Sequence, residues 1–137
     1  MYAVTVVSDR PDFRCFLDLL YGSDRNVDTE GDSYRVNSRT WKYLYVKDRE
    51  SDDPWVEIQA SELDGSIFNV LSESSRLEEL AALYLFLTCG STISSQDKEF
   101  DQASVQELSE KYSIELDRAH GSIWHFSTDD SPYPSKK

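Results

Sequence analysis

Cysteine and glycine are both scarce in this 137-residue chain, which contains two cysteines and five glycines. Cys15 and Cys89 form neither a CxxC pair nor a Cys/His spacing of the kind that holds zinc. A secreted domain of this size would more often carry several disulfides. The glycines are nowhere arranged as GxGxxG or GxxxxGK, so no phosphate-binding loop is predicted. These shortages favour a reducing compartment and argue against nucleotide binding.

Long apolar runs are also lacking. The longest, Leu80 to Cys89, covers ten residues, whereas a membrane-spanning helix needs about 20. The first residues have no basic segment and reach Asp9 and Arg10 after a short apolar run, which is not the pattern of a signal peptide. We therefore expect a cytoplasmic protein that has no membrane partner.

Basic residues are few relative to acidic ones, 14 against 26, and the formal net charge is −12. Residues 1–50 hold nine acids and eight bases, whereas residues 51–137 hold seventeen acids and six bases. Nucleic acids and anionic membranes reward a basic surface, so neither is predicted as a partner. The electrostatic complement of this chain is a basic protein, although an acidic composition also serves solubility alone.

What the chain does contain is enough apolar material for one core, with 39% hydrophobic and 12% aromatic residues. The periodicities predict an α+β domain over residues 1–127, a mostly antiparallel sheet of about five to six strands packed with two to three helices. The predicted order is β-α-β-β-β-β-α-α-β-β. Prolines and charges predict that residues 128–137 form a polar, flexible C-terminal tail.

The helices are predicted by apolar stripes and their capping residues. One stripe runs from Phe13 to Leu20 before Gly22, and two capping boxes, Ser75 with Glu78 and Ser104 with Glu107, open the others. Two stretches are interpreted as irregular, a surface loop over residues 22–33 and a polar linker over residues 91–101. The predicted strands are Tyr2–Val7, Tyr34–Val36, Thr40–Lys47, Trp55–Ala60, Ile67–Ser72, Ile114–Leu116 and Ser122–Ser127.

No metal or cofactor is predicted. Asp28, Glu30 and Asp32 alternate like the start of a calcium-binding EF-hand loop, but a glycine is wanted at the sixth position of that loop and Gly31 stands at the fourth. The twelfth position is Arg39 instead of a bidentate carboxylate, which excludes calcium there. The two histidines, His120 and His125, have no neighbouring ligands at zinc or iron spacing, and His125 is interpreted as an ordinary, partly buried side chain.

No catalytic residue is predicted either. The chain has no GxSxG elbow, SxxK pair or Cys–His signature around a nucleophile. Carboxylates are plentiful, and two of them brought together in space would leave acid/base chemistry open. The sequence therefore favours a non-enzymatic protein without deciding the matter.

Two predicted strands have unlike faces. In the strand from Trp55 to Ala60, Val56 and Ile58 share the side that suits a core, which places Trp55 and Glu57 on the other side. In the strand from Thr40 to Lys47, Leu44 and Val46 suit the same core, which leaves Trp41, Tyr43 and Tyr45 outward.

Acidic clusters accompany this aromatic face, and exposed aromatics with surrounding acids are typical of an interface for a basic partner. The alternative is that a helix covers the face and makes these aromatics part of the core. The predicted partner-binding residues are Trp41, Tyr43, Tyr45, Asp52, Asp53, Trp55, Glu57, Glu62, Asp64, Asp97, Glu99 and Asp101.

The hypothesis drawn from these patterns is a non-enzymatic acidic protein that binds and neutralises a basic protein. In size and charge alone the chain resembles small bacterial immunity proteins, which implies inhibition of a nuclease-like toxin domain. Three alternatives stay open: an inhibitor that mimics nucleic acid, an acidic secretion chaperone, and a small enzyme that uses carboxylates.

Overall fold

The computed structural model describes residues 1–22, 27–31, 37–49 and 54–134. In these residues the chain forms seven strands, four α-helices and one 3₁₀ turn at Ile123–Phe126. The strands are β1 (Tyr2–Val6), β2 (Val27–Gly31), β3 (Tyr43–Asp48), β4 (Val56–Ala60), β5 (Ile67–Ser72), β6 (Gly90–Ser95) and β7 (Lys98–Glu99). The helices are α1 (Arg14–Leu20), α2 (Ser75–Cys89), α3 (Gln102–Lys111) and α4 (Ser113–His120).

All seven strands belong to one antiparallel sheet in the order β2-β3-β4-β5-β1-β6-β7. Because β7 is only two residues long, six strands make up the body of the sheet. The prediction of an α+β fold with a mostly antiparallel sheet is confirmed. The predicted strand Tyr34–Val36 lies outside the described residues.

One face of the sheet carries the core. Val4, Ile58, Phe68 and Val70 alternate along their strands and are buried, as period-two patterning requires for a strand with one covered face. Helix α2 packs across β1, β5 and β6 on this face, and α1 packs against α2. The helices are thus stacked on one side of the sheet.

The N-cap of α2 lies one residue before the N-cap that the predicted capping box gives. Ser74 is the N-cap, and its hydroxyl oxygen accepts a hydrogen bond from the backbone N–H of Leu77 at 3.2 Å. Glu78 instead accepts from the backbone N–H of Ser72 at 3.0 Å. Helix α1 ends as predicted before Gly22, whose φ of +99° suits glycine at that position.

A buried ion pair joins α1 to the C-terminal segment. The carboxylate of Asp12 is completely buried and accepts from Arg14 Nε at 2.9 Å and Arg14 Nη2 at 2.6 Å. The hydroxyl of Ser127 donates to the same carboxylate at 2.7 Å. Arg14 also donates to the carbonyl of Pro132 at 2.7 Å and lies 4.0 Å from the ring centre of Trp124. Residues of the predicted tail therefore contact the folded domain.

The prediction of a polar linker over residues 91–101 is wrong, because this stretch contains most of the β6–β7 hairpin. Ile93 is the buried residue of β6, and its neighbours are small hydroxyl residues that pair with β1. The hydroxyl of Thr92 donates to that of Thr5 at 2.8 Å. Gln96 and Asp97 form the turn with φ of 54° and 62°, which is the left-handed backbone of tight hairpins. One apolar residue was too little to show an alternating pattern.

The two strands predicted near the C-terminus are also wrong. Residues 114–116 lie in α4, which buries Leu116 and Ala119 while Ile114 is 78% exposed. Residues 123–126 form the 3₁₀ turn, and the hydroxyl oxygen of Ser122 caps it by accepting from the N–H of Trp124 at 3.2 Å. The i and i+2 spacing of Ile114 and Leu116 resembled a strand, although the buried positions repeat at helical intervals. The loop predicted over residues 22–33 contains β2.

Gly90 provides a stability test, because the chain passes directly from α2 into β6 at this residue. A Cβ atom on Gly90 would lie 2.8 Å from the Cα of Phe86 and 2.8 Å from Cγ1 of Val4. We expect Gly90→Ala to lower the free energy of unfolding by about 1–3 kcal/mol, since the backbone cannot yield cheaply. Urea denaturation measures this change.

Gly65→Ala is the matched control, because nothing lies within 4 Å of a Cβ atom built there. It should change stability by less than about 0.5 kcal/mol. Equal losses in the two variants would contradict the close approach at Gly90.

Candidate functional site

The face of the sheet opposite the helices keeps its side chains at the surface. In β3, Tyr43 and Tyr45 alternate with the buried residues Leu44 and Val46. In β4, Glu57 lies between the buried residues Val56 and Ile58. The three outward residues are half-buried, and Leu71 of β5 is 38% exposed. No helix in residues 1–22, 27–31, 37–49 and 54–134 buries this part of the sheet.

Six side chains on this face form a compact group that we term the outer patch. Tyr45 and Trp55 are stacked, with ring centres 6.0 Å apart and planes inclined by 23°. The hydroxyl of Tyr43 donates to Oε2 of Glu57 at 3.1 Å. The indole Nε1–H of Trp55 donates to Oε1 of Glu73 at 3.2 Å. The members of the outer patch are Tyr43, Tyr45, Trp55, Glu57, Leu71 and Glu73.

Strand pairing explains why these residues meet. Tyr45 lies directly opposite Glu57 in the β3–β4 register, and Glu57 lies opposite Leu71 in the β4–β5 register. Val56 pairs with Ser72, so the preceding Trp55 faces Glu73. Cross-strand neighbours on one face have Cβ atoms about 5 Å apart, which lets aromatic and acidic side chains touch.

The prediction that Trp41 belongs to this face is wrong. Trp41 is 1% exposed, and its ring meets Phe16 and Phe68 edge-on at 5.8 Å and 6.1 Å. Its Nε1–H donates to the carbonyl of Pro11 at 2.9 Å. Because β3 begins only at Tyr43, Trp41 precedes the alternation and turns into the core.

The predicted acidic residues are dispersed. Glu62 and Asp64 lie in the β4–β5 loop, which begins after Ala60. Ala60 is at the far end of β4, about 17 Å from Trp55. Asp64 accepts from the N–H and hydroxyl of Ser66 at 3.0 Å and 2.7 Å, which lowers the pKa of this carboxyl. Asp52 and Asp53 lie outside the described residues. Glu62 and Asp64 thus do not surround the aromatic pair.

The second acidic cluster lies at the other edge of the sheet. Asp97 and Glu99 belong to the β6–β7 hairpin, four strands from β4 and therefore about 19 Å away. Asp101 is the N-cap of α3, where its carboxylate accepts from the N–H of Ser104 at 2.8 Å. Asp101 therefore stabilises the start of α3, and the N-cap of this helix is Asp101 instead of the predicted Ser104.

Sequence reasoning missed Leu71 and Glu73 as members of the outer patch. Both are near the end of β5, and alternation from buried Phe68 and Val70 places Leu71 outward. Glu73 follows the strand and is brought to Trp55 only by the β4–β5 register. Alternation could have identified Leu71, whereas Glu73 required knowledge of the pairing.

A cleft of about 700 Å³ lies beside the start of α2. Glu79 lies in this cleft and receives three hydrogen bonds, from the hydroxyl of Tyr112 at 2.7 Å, the hydroxyl of Tyr2 at 2.8 Å and Nζ of Lys111 at 3.2 Å. Burial acts to raise the pKa of Glu79, but these bonds outweigh it and hold the pKa below its usual range. An ionised carboxylate that accepts three hydrogen bonds is suited to joining β1, α2 and α3, and not to donating a proton as a general acid.

The thiols are also poorly suited to chemistry. Cys15 and Cys89 are free and buried. Burial raises the pKa of Cys15 to about 12 and raises that of Cys89 as well, so both are protonated at neutral pH, and a protonated thiol is a weak nucleophile. His125 is partly buried, as predicted, and its Nε2 lies 3.0 Å from the hydroxyl oxygen of Tyr84.

Among the residues the structure describes, no three His, Cys, Asp or Glu side chains meet as a metal-binding group. None of the helices in the same residues combines the length and the apolar composition of a membrane span. Comparison of the chain with protein-family models, curated proteins and solved structures gives no match.

The bonded carboxylate of Glu79 generates a pH test. A carboxyl with a lowered folded-state pKa stabilises the fold above its unfolded pKa of about 4.3, and this contribution is lost as pH falls through the folded-state pKa. Glu79→Gln should therefore cost about 1 kcal/mol at neutral pH and flatten the decline in stability between about pH 5 and pH 3. Denaturant titrations across that range measure both effects.

Glu107→Gln is the control, since Glu107 is exposed on α3 and has no hydrogen bond in the described part of the chain. It should leave the pH profile as it is in the wild type. A Glu79→Gln profile that matches the wild type in slope would contradict the role assigned to Glu79.

Proposed function

We propose that this protein is a non-enzymatic binding protein that captures a basic protein on its outer patch and neutralises it. The observation that carries the proposal is the stacked Tyr45–Trp55 pair. The pair lies on a sheet face that no helix of the described residues covers, and Glu57 and Glu73 lie beside it. Large aromatics at a surface are frequent anchors of protein interfaces.

The charge of the chain supports a basic partner. Residues 51–137 carry an excess of eleven acids, because seventeen acids stand against six bases. The electric field of this excess negative charge raises the association rate of a cationic partner, and aromatic anchors then lower its dissociation rate. Lys47, the basic residue of β3 on the outer face, has an interaction partner of its own.

The same features are what an immunity protein needs to inhibit a nuclease-like toxin, because a nuclease must present a basic surface to its nucleic acid. An acidic protein that covers this surface competes directly with the substrate. This mode of inhibition, in the cytoplasm, is the specific form of the proposal. It requires one concentrated docking face, and the outer patch supplies the aromatic part of it.

The first test separates steering from anchoring. With a basic protein captured by the wild-type chain, the association rate should fall steeply as salt is raised, because screening acts on long-range attraction. Trp55→Ala should mainly accelerate dissociation, by about tenfold or more if Trp55 is a central anchor. Surface plasmon resonance at several salt concentrations measures both rates.

Phe126→Ala is the matched control, since Phe126 is also a large exposed aromatic, at 74% exposure, but lies in the 3₁₀ turn outside the sheet. Its dissociation rate should equal that of the wild type. An association rate that does not respond to salt would contradict steering, and equal effects of the two aromatic variants would contradict anchoring by Trp55.

The second test compares two charge reversals of the same size. Glu57→Lys with Glu73→Lys places two bases in the outer patch and should weaken binding by about a hundredfold, while leaving the circular dichroism spectrum unchanged. Asp97→Lys with Glu99→Lys makes the same change in net charge at the other edge of the sheet. It should reduce the association rate only slightly.

If the Asp97 and Glu99 reversals weakened binding as strongly as those at Glu57 and Glu73, net charge alone would account for the interaction. The outer patch would then lose its place as the docking face. Calorimetric affinities of the two double variants decide between these outcomes.

A further inference from the structure

We infer that the outer patch selects arginine over lysine, and that an arginine of the partner stacks on the Tyr45–Trp55 pair with Glu57 and Glu73 as its acceptors. The inference rests on the proposed function, because it names the side chain by which a basic partner is anchored. It also rests on the stacked rings and their neighbouring carboxylates, an arrangement that net negative charge alone does not produce.

The aromatic pair offers a platform for a planar cation. The rings of Tyr45 and Trp55 are close to parallel, and a centre-to-centre distance of 6.0 Å means that they are offset from each other. Offset rings leave part of each face uncovered, and both side chains are half-buried at the surface of the sheet. A guanidinium group stacks on such a face through cation–π attraction.

The two carboxylates are held at the rim of this platform by aromatic donors. Tyr43 bonds Oε2 of Glu57, and Trp55 bonds Oε1 of Glu73. A carboxylate has about four lone-pair positions, so one such bond leaves each with further acceptor capacity. Carboxylate acceptors beside a stacking surface match the fork of N–H groups in arginine.

The chain itself contains the same arrangement in a filled form. The guanidinium of Arg14 lies 4.0 Å from the ring centre of Trp124, and its Nε and Nη2 donate to the two carboxylate oxygens of Asp12. In the part of the chain that the structure describes, cation–π contacts are made by Arg10, Arg14 and Lys111, and none of them involves Tyr45 or Trp55. Among the described residues, the outer patch thus has the rings and the carboxylates of this motif without a cation stacked on them.

Lysine fits the same surface less well. Its ammonium group is a compact, strongly hydrated charge that has no planar face to lay on a ring and no pair of parallel N–H groups for two acceptors in one plane. A field from the net charge alone attracts both cations equally, so a preference for arginine reports on the patch itself.

The test is a titration of the full-length, ¹⁵N-labelled protein with arginine and lysine homopeptides of equal length, followed by NMR. Ionic strength is set near the physiological value, where the screening length is about 8 Å. The indole N–H signals of Trp41, Trp55 and Trp124 report separately on the core, the outer patch and the Arg14 site. The signal of Trp55 should move, and the arginine peptide should bind about fivefold more tightly than the lysine peptide.

The variant Glu57→Gln with Glu73→Gln keeps the shape of the patch and should bring the two peptides to nearly equal affinity. Asp97→Asn with Glu99→Gln removes as much charge at the far edge of the sheet and should preserve the ratio. A ratio that survives the first variant would overturn the role of the two carboxylates in selection.

Two other results are distinguishable. If both peptides move the Trp55 signal with equal affinity, selection of arginine is overturned while the outer patch stands as the docking face. If neither peptide moves the Trp55 signal, the docking face fails as well, and the inference and the proposed function fall together.

Discussion

Every residue of α2 from Leu80 to Leu85 is completely shielded from solvent, so this helix must be covered on all sides by other parts of the chain. The sheet covers one side, through β1, β5 and β6, and α1 covers another, with Phe16 edge-on to Tyr84 at 5.1 Å. This demand concentrates the apolar side chains on one face of the sheet. As a consequence, no helix of the described residues covers the opposite face, where Tyr45 and Trp55 lie half-buried.

Covering α2 with α1 also brings charge into the interior. Asp12 lies two residues before the start of α1 and is completely buried together with most of Arg14. A buried ion pair stabilises little by itself, because desolvation offsets the attraction unless the remaining polar atoms are bonded. The hydroxyl of Ser127 and the carbonyl of Pro132 supply two such bonds, whereas Nη1 of Arg14 is buried without a hydrogen-bond partner among the described residues. The C-terminal segment is therefore held in place because it provides hydrogen bonds to a buried ion pair more than a hundred residues earlier in the chain.

The elements that were predictable from sequence are those whose pattern is complete within one segment. Strand β5 has the predicted bounds, and α1 and α2 follow from apolar residues at helical spacing. Strand β6 was missed because Ile93 is its buried residue and its pairing with β1 depends on the backbone and on small hydroxyls. Helix α4 was mistaken for a strand because Ile114, an exposed residue, imitated alternation with Leu116. In both cases the structure follows the residues that packing buries, and not the alternation that the apolar residues suggest.

The outer patch shows the same limit at the scale of single residues. Alternation is enough to place Tyr45 and Glu57 on one face, but it cannot tell where a strand begins, which is why Trp41 was misplaced. Nor does it fix the register between strands. A two-residue turn at Asp64-Gly65 would pair Ala60 with Asn69, whereas Ala60 pairs with Phe68 across a six-residue loop.

A shift of one position would put Ser74 and not Glu73 opposite Trp55. The acceptor for the indole, and with it one side of the proposed arginine site, thus depends on the length of a loop at the other end of β4.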